Sequence, residues 1–245
     1  MHRPPTEFNS QQHRHIKGFT LIELLVAIAI IAILAAILIP AIGGVRQTAN
    51  KAECVSRIRQ LVIATKAYGN EHGGRAPHPN LTVDGEPSFS HAPHFYSEAA
   101  FEKTLKLYLE DRFAAMYCPG ALSEDPNGTY DPQVQRVANK PNDFVSYQYF
   151  NGDSNGTNPT GKPKPEYNLL FRNTINAPEQ YAMWGCLTYV TGSRTYGHME
   201  GRSAGTTPEG MNAGYADGSV RWVPSEQLES YTEDGSYLWP KPNYN

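Results

Sequence analysis

Cysteine is scarce in this sequence. Cys54, Cys118 and Cys186 are the only three in 245 residues, too few for a disulfide-stapled scaffold. They also lack the paired spacing of a zinc-binding finger or ribbon. An odd count permits at most one internal bridge, and Cys118 with Cys186 is the better pairing because both fall in the globular part. No long basic run occurs. The 21 Lys and Arg against 24 Asp and Glu leave a formal charge of -3, which argues against a nucleic-acid partner. A Gly-x-Ser-x-Gly elbow, a Ser/His/Asp grouping and a phosphate-binding glycine loop are all missing, so the sequence shows no enzyme signature. Long hydrophobic runs are missing too, with one exception, which excludes a multi-span membrane protein. With 40% hydrophobic residues, the chain is not wholly disordered either.

The exception lies at 19–42, where 24 residues depart from the apolar set only at Thr20, Glu23 and Pro40. At ~1.5 Å per residue such a helix reaches about 36 Å, enough for a hydrocarbon core of ~30 Å. Arg3, Arg14 and Lys17 precede it against Glu7, and this basic flank predicts a membrane-spanning helix with a cytoplasmic N-terminus. A secretory signal peptide would have a shorter apolar core ending in small residues at a cleavage site, and this run has neither property. Glu23 is the oddity. A carboxylate at membrane depth is costly, marks a function and needs a partner.

The junction Lys17-Gly18-Phe19-Thr20-Leu21-Ile22-Glu23-Leu24-Leu25-Val26 resembles the processing site of type IV pilins and type II secretion pseudopilins. The resemblance implies cleavage by a prepilin peptidase between Gly18 and Phe19, with N-methylation of Phe19. It also implies that Glu23 pairs in the filament with the Phe19 amine of a neighbouring subunit, and that Pro40 is the family's helix-kinking proline. The partners so implied are the peptidase, other pilin or pseudopilin subunits and the inner membrane. The fold implied is α+β, a long N-terminal helix packed on an antiparallel sheet head. Its parts are a leader at 1–18, a transmembrane and filament-core helix at 19–42, an amphipathic continuation at 43–72 and a periplasmic or extracellular head at 73–245.

Beyond Gly43-Gly44 the apolar residues become periodic. Val45, Cys54, Ile58, Leu61, Thr65 and Tyr68 predict one buried stripe of a helix, which Gly69 and Gly73-Gly74 should end. The stretches 53–61 and 68–77 are similar to a pseudopilin-like group with an H-X9-DG ending. That ending is matched by Asn212-Ala213-Gly214-Tyr215-Ala216-Asp217-Gly218-Ser219-Val220, but position 207, where the group's histidine belongs, is Thr207. The nearest upstream histidine is His198, 19 residues before Asp217, so an insertion intervenes.

The head is predicted to hold a helix over 97–113, N-capped by Ser97 with a stripe of Phe101, Leu105, Tyr108/Leu109 and Phe113. Strands are expected within 144–150, 167–171, 180–190 and 214–223, the last as a hairpin turning at Asp217-Gly218 with a type I′ turn. His91-x-x-His94 has metal-ligand spacing but sits in a Pro-rich stretch and reads as a solvated loop. Asp153–158 resembles a calcium loop whose register fails. Asp217 and Asp234 are calcium candidates because some pseudopilins hold calcium near the C-terminus; no other cofactor is implied. A filament subunit is the leading expectation, and a membrane-tethered glycan-binding module, using exposed head aromatics, is the alternative.

Overall fold

The computed structural model describes residues 20–81, 96–109, 113–119, 122–124, 145–149, 181–191, 194–198, 207–230 and 235–241. Two units are distinguished, Met1–Arg46 and Gln47–Asn245. The helix α1, Leu21–Glu71, contributes to both.

In the first unit, Leu21–Ile39 is long and apolar enough to cross a membrane, and none of it is buried among the described residues. Val45, expected on the buried stripe, is exposed and belongs to this unit.

The second unit holds the head and the outer turns of α1. Cys54, Ile58, Leu61 and Thr65 are all buried, as their spacing predicts, and Val62 and Ala64 widen the stripe. The helix ends at Gly73 (φ 65°) and Gly74 (φ 84°), conformations that glycine adopts without steric cost. The Gly74 N–H reaches back to the Gly69 carbonyl at 2.7 Å, the 6→1 bond of a Schellman cap. Tyr68, half-buried, stacks on His72 at 3.8 Å.

The strands are β1 (Leu122–Glu124), β2 (Tyr147–Tyr149), β3 (Ala182–Cys186), β4 (Tyr189–Thr191), β5 (Arg194–Gly197), β6 (Gly210–Tyr215), β7 (Val220–Pro224), β8 (Leu228–Ser230) and β9 (Leu238–Pro240). Among the described residues they form three antiparallel sheets ordered β1-β5-β4, β2-β3-β6-β7 and β8-β9, rather than one. The architecture is thus α+β, with a long N-terminal helix continuing into a helix packed on antiparallel sheet. The strand expected at 167–171 lies outside the described residues.

Two local expectations are corrected. The second helix, α2 (Glu98–Lys103), stops short of the expected 113. Ser97 caps it as predicted, accepting from the Ala100 N–H at 3.1 Å. Thr104, however, turns its hydroxyl back onto the Ala100 carbonyl and shares it with the Tyr96 hydroxyl. That competition for the i−4 carbonyl breaks the helix, and 3-10 turns follow at Lys106–Tyr108 and Phe113–Met116. Phe101, Leu105 and Leu109 are nevertheless buried. In the β6–β7 hairpin, the Gly218 N–H bonds the Tyr215 carbonyl and the Tyr215 N–H bonds the Ser219 carbonyl, both at 2.9 Å. The loop therefore has three residues, Ala216-Asp217-Gly218, and Gly218 (φ 90°) supplies its left-handed position.

The helix meets the central sheet at Gly214. A Cβ there would lie 2.6 Å from Ile58 Cγ2 and 2.7 Å from Val62 Cγ2. Both neighbours are short, β-branched and stiff at χ1, so neither can swing aside. Gly214→Ala is expected to destabilise the head by ~1–3 kcal/mol, read as a lowered unfolding midpoint; an unchanged midpoint would refute this account of the contact.

Above the sheet, Trp184 is fully buried against Tyr149 at 4.2 Å, with Tyr96 at 5.9 Å. Its indole N–H donates to Thr65 Oγ1 at 2.9 Å, which ties β3 to α1.

Candidate functional site

Each unit carries one concentration of unusual chemistry. In the first, Gly18 and Phe19 lie outside the described residues, and the described chain starts at Thr20. The Thr20 N–H and hydroxyl both donate to Glu23 Oε2 at 2.8 Å, and the Glu23 N–H donates to Thr20 Oγ1 at 3.3 Å. This is a reciprocal capping box, formed by the Thr-x-x-Glu spacing, and it satisfies donors that a helix start otherwise leaves unpaired. Among the described residues no cation pairs with Glu23. Pro40 lies within α1.

The second concentration is internal to the head unit. Cys54, Cys118, Cys186 and His198 come from four separate segments, and each is buried to 2% exposure or less. Their Sγ and ring-nitrogen atoms all lie within 4.8 Å of one another. Cys54 Sγ is 3.1 Å from Cys186 Sγ, while His198 Nε2 is 3.2 Å from Cys186 Sγ and 3.6 Å from Cys118 Sγ.

Each member is held by its element. Cys54 lies one helical turn before Ile58 on the buried face of α1. Cys118 follows the 3-10 turn Phe113–Met116, and the preceding Tyr117 carbonyl accepts from the Arg57 guanidinium, which fastens this segment to α1. Cys186 ends β3. His198 follows β5 and pairs as an isolated bridge with Gly210, with the Glu209 N–H donating to the His198 carbonyl at 3.0 Å. This places His198 beside the first residue of β6 despite its distance in sequence.

Around the four, the Tyr147 hydroxyl points at Cys54 Sγ from 3.8 Å. The Trp222 ring stands edge-on to the His198 ring at 5.5 Å, and Lys51 Nζ lies 5.0 Å over Trp222 while pairing with Glu209 at 3.2 Å. Hydrogen bonds from the Cys118 and Cys186 thiols hold the Cys54 thiol well below its ordinary value. Burial pushes the Cys186 thiol up.

The Cys118–Cys186 pairing expected from the sequence is not bonded here; both sulfurs lie in one cluster with that of Cys54. The expectation set Cys54 aside as part of the helix, although its phase with Ile58 and Leu61 turns it into the same core. The absence of zinc-type spacing was equally uninformative, because the cluster is assembled by tertiary contacts. Of the calcium candidates, Asp217 Oδ1 accepts the Ser219 N–H at 2.8 Å as a turn residue. Its Ser219 hydrogen bonds hold the carboxyl below the usual range. Asp234 lies outside the described residues, as do His91, His94 and the Asp153–158 loop. Most described head aromatics, including Tyr96, Tyr147, Tyr149, Trp184, Tyr215 and Trp239, are core residues.

Comparison with known proteins bears on the first unit's chemistry. Residues 13–39 match the family model described as the prokaryotic N-terminal methylation motif. The chain is 49% identical over 55 residues to the type IV wide pilus major component PilA4 of Thermus thermophilus, covering 22% of this chain and 42% of that protein. It is 39% identical over 61 residues to the ComG operon protein 3 homolog of Bacillus licheniformis, covering 25% of this chain and 63% of that protein. The chain thus spans less than two-thirds of either relative's length. No solved structure matches.

Proposed function

We propose that this chain belongs, through its N-terminal methylation motif, to the type IV pilin and pseudopilin family, and that it is a structural filament subunit rather than a catalyst. It is made with a leader at 1–18 and cut by a prepilin peptidase between Gly18 and Phe19, whose new amine is then methylated. The helix from Phe19 onward holds it in the inner membrane until it enters a type II secretion pseudopilus or a type IV pilus-like fibre, with the head displayed outside. One observation carries this reading. Among the described residues, Leu21–Ile39 is apolar and wholly unburied, yet a carboxylate sits at its start. Lipid covers such a helix in the free subunit, and other copies of the same helix cover it in a filament. Lateral packing is then driven by burial and dispersion, and the Glu23 carboxylate sets register by meeting the Phe19 amine of a neighbour. Pro40 accommodates the bend that packing requires.

Intact-mass and N-terminal analysis of the membrane-extracted protein tests the proposal. The expected chain begins at Phe19 and carries one added methyl group. A mature chain that retains residues 1–18, or one cut elsewhere, would overturn it.

A further inference from the structure

We propose that Cys54, Cys118, Cys186 and His198 form a structural site for one zinc ion, bound tetrahedrally by three thiolates and the His198 imidazole. A tetrahedral zinc with bonds of about 2.3 Å to sulfur and about 2.0 Å to nitrogen sets its ligand atoms roughly 3.5–3.8 Å apart. The pairs here stand at 3.1, 3.2 and 3.6 Å, and all lie within 4.8 Å, so small side-chain adjustments close the tetrahedron. The donor set excludes calcium and magnesium, which take oxygen ligands. Thiolates with imidazole in a closed four-coordinate shell suit zinc.

Burial decides between a structural and a catalytic role. All four residues are buried, so no open position remains for water or substrate. Binding takes all three sulfurs as thiolates and leaves a centre of formal charge −1, towards which the Tyr147 O–H already points at Cys54 Sγ. The competing arrangement is a disulfide. It would consume two sulfurs and strand the third thiol beside a buried imidazole, whereas a metal engages all four. Because the ligands come from α1, the segment after Phe113–Met116, the end of β3 and the residue after β5, the ion would clamp the outer helix to both larger sheets. This inference is independent of the filament reading.

The test uses the full chain extracted in detergent without chelators. Elemental analysis is expected to give one zinc per chain, and Co2+ exchanged into the wild type should show the intense visible bands of tetrahedral thiolate coordination. His198→Ala is expected to weaken binding at least tenfold. His198→Cys should retain the ion and shift the Co2+ bands, which separates ligation from a purely steric role. Chelation should lower the unfolding midpoint of the wild type, and Zn2+ but not Mg2+ should restore it. A metal-free chain whose intact mass is lower by two hydrogens, reporting a disulfide, would overturn the proposal. One equivalent of iron or copper in place of zinc would overturn it too.

Discussion

A Gly18→Ala chain should accumulate in the membrane at its unprocessed length, while a Glu23→Ala chain is cut normally but leaves the sheared filament fraction at least tenfold depleted. The two substitutions address different steps. Gly18 lies at the proposed scissile bond, where the lack of a side chain lets a protease approach the backbone closely. Glu23 has a second duty that must be separated from assembly, since its carboxylate caps the first turn of α1 through Thr20. Losing a cap costs about 1 kcal/mol, too little to unfold a 51-residue helix. Glu23→Gln distinguishes the roles, because a glutamine oxygen still accepts from the Thr20 N–H but cannot pair with an amine. Assembly should fail with Gln as it does with Ala. Normal filaments from the Gln variant would show that the cap matters and the charge does not. Immunoblots of membrane and sheared fractions supply the measurement.

Trp184→Ala should be the most damaging single truncation in the head, costing ~3–5 kcal/mol. The indole fills the space between β3 and α1 and stacks on Tyr149. Its removal leaves a cavity and also strips the buried Thr65 hydroxyl of its donor. Domains of this kind are stable by only ~5–15 kcal/mol, so the loss is a large share of the total. Denaturant unfolding of the detergent-extracted chain should show a markedly lower midpoint, with protease cutting within the head at concentrations the wild type resists. A midpoint within experimental error of the wild type would refute the assigned role.

Features that depend on neighbours in sequence were legible before the structure. The apolar run at 19–42, the phase of Cys54, Ile58, Leu61 and Thr65, the Ser97 cap and the glycine stop at 73–74 all express one period or one local hydrogen bond. What failed depended on competition or convergence. The helix predicted over 97–113 breaks at Thr104 because a hydroxyl outbids the backbone for a carbonyl, which propensity does not register. The hairpin was located correctly, but its loop has three residues because the strand register places Gly214 opposite Val220. The four-residue cluster was invisible for a simpler reason. Cys54 and Cys186 are 132 positions apart, and Cys118 and His198 are 80 apart, so no linear spacing encodes them.

The ring contact between Trp222 and His198 has an optical consequence. The chain contains three tryptophans. Trp184 and Trp239 are buried, whereas Trp222 is 37% exposed and stands beside the cluster's imidazole. The two buried indoles therefore emit at short wavelength and report on the integrity of the core. Trp222 should emit further to the red, and a change in the position of His198 should alter its quenching. The protein thus carries its own fluorophore at the seam between helix and sheets, readable without any label.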